Sequence, residues 1–262
     1  MPARRKTRTS RFQVSGAAYS RGLNRRIPLR WLNAVVGLFL LPLAWVWTQT
    51  FFTVFSQAVV RQHFWLTEEF WYFSLGALLW VITFFSLPRP LLIYVFGHEL
   101  THAVWVWAMG GRVSQFKVGS DGGHIITNKH NFWIALAPYF FPIYSVLVII
   151  AYGVAGFFLH DMQMWHRCLL YGLLGATWAF HITFTLWMIP KGQTDLTYHG
   201  TFFSLVVIYL MNLLVLTIFF MLATPHMTPR HFAQIFYHNA QDFSAWIYAW
   251  AQKYLERWFP GG

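Results

Sequence analysis

Apolar residues run along this chain in six long stretches, at roughly 32–60, 70–87, 90–110, 132–158, 166–189 and 201–223. A helix of about 20 such residues spans the hydrocarbon core of a bilayer, so the pattern predicts six transmembrane helices. The second and third stretches are parted only by Leu87-Pro88-Arg89-Pro90, where prolines end one helix and open the next. The third closes at Gly110-Gly111, a natural helix stop. Between the third and fourth, Arg112–Val118 and His124–Thr127 flank Ser120-Asp121-Gly122-Gly123. β-Branched runs around an Asp-Gly-Gly turn predict a short β-hairpin. Beyond Ala223, Phe232, Ile235, Phe236, Phe243, Trp246 and Trp250 recur at three- and four-residue spacing, which predicts an amphipathic helix lying in the membrane interface.

Composition agrees with that pattern. The chain of 262 residues is 57% hydrophobic and only 10% charged, against about 25% charged in soluble domains. The expected fold is therefore an all-α polytopic membrane protein with about six transmembrane helices, the hairpin and the terminal amphipathic helix. The organisation expected is a basic, disordered tail over 1–30, a membrane domain over 31–223 and the interfacial helix over 224–262. The lone Cys168 excludes an intramolecular disulfide and offers no cysteine-type metal site.

The net charge of +11 does not point to nucleic acid, because nine of the nineteen Lys and Arg lie in residues 1–30 and the others sit near span ends. The lipid bilayer is the expected partner. The acid-free, Arg-rich tail is compatible with an organellar transit peptide, and otherwise the chain reads as a multi-pass protein of a bacterial inner membrane. Six crossings place both termini on one side and the hairpin on the other. Arg89, Arg167 and Arg230 would then join the basic tail, and positive-inside reasoning puts the hairpin outside the cytoplasm.

One apolar stretch is interrupted by His98-Glu99-Leu100-Thr101-His102. Histidines four apart on a helix project from one face about a turn apart and can share a metal ion. A glutamate directly after the first is placed to take a proton from water activated by that metal, the arrangement of a zinc hydrolase. Zinc is the expected cofactor. Such a site needs a third protein ligand and an open fourth position. Asp195 follows Pro190-Lys191-Gly192, where the fifth helix must break, and broken backbone at membrane depth is tolerated where it lines a polar cavity. His181 is its rival, since it lies at a depth close to that of His102; alternatively it is a buried donor to another helix or to a metal ligand. Asp121, His124 and His130 near the hairpin are further candidates, whereas Asp161 falls on the far side of the membrane.

With Gly97-His98-Glu99-Leu100-Thr101-His102 in an apolar helix, Gly110-Gly111 and a hairpin after it, and Asp195 five residues after Pro190, the chain resembles the site-2 protease family of intramembrane zinc metalloproteases over about residues 90–200. The resemblance implies His98, His102 and Asp195 as zinc ligands, Glu99 as the catalytic base and membrane-protein segments as substrates. It also implies a hairpin facing the cytoplasm, against the charge reading. Two positions depart from the family: Trp187 stands where an Asn precedes that proline, and Leu196 where a Gly follows the Asp. A membrane di-iron oxygenase and a non-catalytic scaffold are the alternatives. No His-x-x-His-His cluster supports the first, and an intact Glu99 argues against the second.

Overall fold

The computed structural model describes residues 27–119, 122–159, 163–224 and 227–258. Nine helices and one hairpin are found among them, in the order α1 (Ile27–Arg61), α2 (Glu68–Ser86), α3 (Leu91–Ala108), β1 (Val113–Gly119), β2 (Gly122–Thr127), α4 (Phe132–Phe140), α5 (Ile143–Phe158), α6 (Met164–Met188), α7 (Thr194–Tyr198), α8 (Thr201–Ala223) and α9 (Pro229–Trp258). The N-terminal tail up to residue 26, and with it Asp121 and Asp161, lies outside the described residues.

The element boundaries follow local chemistry. Thr67 caps α2 by accepting from the Phe70 amide, with Glu68 and Glu69 in the first turn facing the helix dipole. Gly110, at φ +73°, ends α3, and the Gly111 amide turns back to the Val106 carbonyl. Asn131 caps α4 by accepting from the Ile134 amide at 2.9 Å. The apolar run 132–158 is not one straight helix. Pro142 cannot donate to the carbonyl four residues back, and Phe141 before it is extended at φ −97°, ψ 105°, so α4 and α5 meet at a 73° bend.

Four helices, α1, α2, α6 (with the turn after it) and α8, are long and apolar enough to cross a membrane, and the bent pair α4–α5 makes a fifth where its two halves count as one broken span. The expected sixth, α3, is not among them. Its middle carries His98, Glu99 and His102, its start packs on the end of α6, and its end lies next to the residues that lead into α4 and meet the start of α8.

Side-chain contacts establish that arrangement. α1 and α8 run parallel: Asn33 donates to the His199 carbonyl at the start of α8, Trp47 bonds Thr217, and Phe51 packs on Phe220 near its end. α2 and α6 also run parallel, with Gly76 beside Gly172, Trp80 bonded to Thr183 at 2.9 Å, and Phe84 against Phe184 and Trp187. Alternating crossings at 70–87 and 166–189 would have made them antiparallel. α3 begins where α2 and α6 end, with Tyr94 stacked on Phe184 at 4.6 Å. It finishes at Met109, bonded by Lys129 and Asn131, next to Phe132, whose ring meets His199 and Phe203 at the start of α8. The hairpin therefore lies on the same side as the start of α1, contrary to the six-span expectation. Arg89, Arg112, Lys117, Lys129 and Lys191 belong to that side, and Arg61, Arg167 and Arg230 to the other.

Lipid-facing packing needs close backbone approach, since apolar surface gains little by leaving lipid. At the α2–α6 crossing a Cβ on Gly76 would overlap the Gly172 carbonyl, and one on Gly175 would overlap that of Phe73. The periodicity beyond Ala223 does give a helix, α9. Phe232 and Phe236 pack on Trp47, and Asn239 bonds Thr50 of α1, while Trp246, Trp250 and Trp258 stay exposed.

Candidate metal centre

His98 and His102 project from one face of α3, as their spacing dictates, and both are buried. α6 gives way after Met188 to a single turn over Ile189–Lys191, and Gly192, at φ +76°, reverses the chain so that α7 brings Asp195 back to the histidines. Leu196 seats α7 in a cluster with Tyr139, Phe140 and Phe203, and Ser204 ties its carbonyl at 3.0 Å.

Asp195 Oδ2 stands 3.5 Å from His98 Nε2 and 3.5 Å from His102 Nε2, and the three ligand atoms lie within 4.8 Å of one another. Ligands about 2.1 Å from a tetrahedral zinc are separated by about 3.4 Å, so two edges already match. Both Nε2 atoms are buried without a hydrogen-bond partner, a costly state for polar groups that a metal would relieve. The opposite ring nitrogens are held. His102 Nδ1 meets the Ile134 carbonyl at 2.8 Å and His98 Nδ1 the Tyr94 hydroxyl at 3.2 Å. In the metal-binding tautomer each Nδ1–H donates there and leaves Nε2 free for the ion. Tyr139 donates to Asp195 Oδ2 at 3.3 Å. These residues fit a divalent ion with one carboxylate and two imidazoles, and their donor set suits zinc among several transition metals.

Glu99 is fully buried beside this group, and neither carboxylate oxygen has a hydrogen-bond partner. The hairpin covers it: a Cβ on Gly123 of β2 would come within 2.7 Å of Glu99 Cγ and 2.8 Å of Val95. The backbone of β2 is thus pressed against the glutamate side chain.

Of the other candidates, His181 is buried on α6 but stands outside the three-residue group. His124 pairs with Lys117 across the hairpin, and His130 packs on Tyr198 and His199; neither joins the histidines of α3. Among the described residues His98, His102 and Asp195 form the single group able to hold a metal, so a di-iron centre has no second set of ligands there. Sequence reasoning passes over Tyr94, Tyr139 and Gly123. The tyrosines sit inside apolar runs that read simply as spans, and Gly123 reads as a turn residue although its role is close approach.

Comparison of the chain with protein-family models, with curated proteins and with solved structures finds no match.

Proposed function

We propose that this protein is an intramembrane zinc metalloendopeptidase that hydrolyses peptide bonds in or near transmembrane segments of other membrane proteins. The observation carrying the reading is a buried, unpartnered Glu99 carboxylate next to two histidines and an aspartate spaced for one tetrahedral ion. A metal held only for structure needs no free acid at its edge.

When bound, zinc supplies Lewis acidity toward water and the peptide carbonyl. The chain's residues do the rest. Glu99 takes the proton of the attacking water and later passes it to the leaving amine. Asp195 offsets part of the ion's charge, which two neutral imidazoles cannot do, and Tyr139 fixes that carboxylate. His102 and His98 are oriented through the Ile134 carbonyl and Tyr94. A helical substrate must open before it can be cut, because its carbonyls are otherwise hydrogen-bonded along the helix. Among the described residues the two-stranded hairpin has strand edges without partners, and an extended segment could add there by main-chain hydrogen bonds. A groove of about 410 Å³ between α3 and β1, with Phe96, Leu100 and Trp107 on one wall and Val113–Phe116 on the other, offers apolar side chains a place beside it.

Positive-inside reasoning applied to the observed arrangement puts the α1 start, the hairpin and the metal-ligand turn at Asp195 on the cytoplasmic side, since Arg89, Arg112, Lys117, Lys129 and Lys191 add to the basic tail. The charge reading and the family resemblance then agree. The test is a comparison of intact masses of membrane proteins from cells carrying the wild-type chain or Glu99→Gln. Cleavage products present only with wild type support the reading, and identical profiles with zinc-free purified protein would overturn it.

A further inference from the structure

On the side of His98 away from Glu99, a cavity of about 20 Å³ opens between α3, α5 and α6, with Tyr94, His98, Thr101, Thr177 and His181 among its walls. A void must offer about 10–15 Å³ to admit a water molecule, and the water needs two to four polar partners. This one is large enough, and Tyr94, Thr101, Thr177 and His181 are the polar side chains that its walls offer. His181 is 9% exposed and its Nε2 has no hydrogen-bond partner, and Asn212, which donates to the Tyr139 carbonyl, likewise leaves its Oδ1 unpartnered. Tyr94 is buried too. Its hydroxyl oxygen receives the Nδ1–H of His98 in the metal-binding tautomer, so its own O–H still needs an acceptor.

We propose that this cavity holds one ordered water bridging the Tyr94 hydroxyl and His181 Nε2, making His181 a positioning residue that steadies a metal ligand without touching the metal. The water accepts from Tyr94 and donates to Nε2, which completes a chain from His98 through Tyr94 and the water to His181. Thr101 already donates to the Gly97 carbonyl and Thr177 to that of Leu173, so both hydroxyls can still accept the water's second proton. Groups that hold the far nitrogen of a metal-bound histidine set its orientation and basicity, and losing them lowers metal affinity by about 10–100-fold. The functional half of this inference rests on the metal reading above; the water itself does not.

The test uses full-length protein purified in detergent. Zinc affinity is measured by competition with a chromophoric chelator for wild type, Tyr94→Phe, His181→Leu and the double variant. Each single change should weaken binding by about tenfold or more, and the double should be no weaker than the weaker single, because one chain is broken once. Wild-type affinity in either single variant, or losses that multiply in the double, would overturn the proposal. Tyr94→Phe keeps the shape of the side chain, so the test survives if His181→Leu does not fold. A high-resolution structure decides the water independently of zinc: density within hydrogen-bond distance of both Tyr94 Oη and His181 Nε2 supports it. An empty cavity, or Asn212 Oδ1 seated on Nε2, overturns it. Wild-type protein that binds no zinc would sink the metal reading and leave the water to that second measurement.

Discussion

Gly123 and Glu99 are in contact across two elements: the backbone of β2 occupies the space next to the glutamate side chain, and no Cβ fits between them. A substitution at 123 must therefore displace the hairpin or the carboxylate. Gly123→Val is expected to abolish proteolysis while zinc content, read by elemental analysis of the purified protein, stays near that of wild type. Unchanged activity would mean that the hairpin plays no part in positioning Glu99.

Glu99→Gln preserves shape but removes the proton acceptor. Its zinc content should equal that of wild type, with cleavage reduced by about 10²–10⁴-fold, the usual contribution of a general base. A quenched transmembrane-peptide substrate in proteoliposomes gives the rate.

Asp195→Ala should lose both metal and activity, because two imidazoles alone leave a buried divalent ion short of a ligand and of countercharge. Retention of stoichiometric zinc in that variant would reassign the third ligand.

The arrangement of α3 and the hairpin predicts a labelling pattern. In a Cys168→Ser background, Lys117→Cys should react with a membrane-impermeant thiol reagent applied from the cytoplasmic side, and Arg167→Cys only from the opposite side. The reverse pattern would invert the molecule in its membrane.

At the α2–α6 crossing, Gly175→Ala adds a methyl group where the Phe73 carbonyl already stands. Overpacking of this kind costs about 1–3 kcal/mol, and a lower thermal midpoint in detergent should report it.

Much of the site is legible in the amino-acid sequence. The four-residue spacing of His98 and His102 fixes a shared face on any helix, and the Pro190–Gly192 break announces that the chain turns before Asp195. The Asp-Gly-Gly turn foretells the hairpin, whose strands run over Val113–Gly119 and Gly122–Thr127. The direction of the helices is not legible. Counting apolar runs assumes that each crosses, and nothing in the hydropathy of 90–110 tells that Met109 is drawn to Lys129 and Asn131 on the side from which α3 starts. Pro142 does mark the break in 132–158, but the length of the apolar run hides it. Tyr139 and Tyr94 stay invisible because an aromatic ring in a lipid-facing run and one that holds a candidate metal ligand look alike until the neighbouring helix is known.

The break at Phe141-Pro142 divides labour within one apolar run. α4 presents the Ile134 carbonyl to His102 and the Tyr139 hydroxyl to Asp195, whereas α5 beyond the bend is fastened to α6 through Ser145 and Thr177. The nine residues of α4 thus answer to the candidate metal group, and the sixteen of α5 answer to the bundle. Stripping the metal should loosen the first and spare the second, so that amide exchange quickens over 132–140 and stays slow over 143–158. The bent pair would then carry a hinge at which the occupancy of the site becomes a mechanical signal.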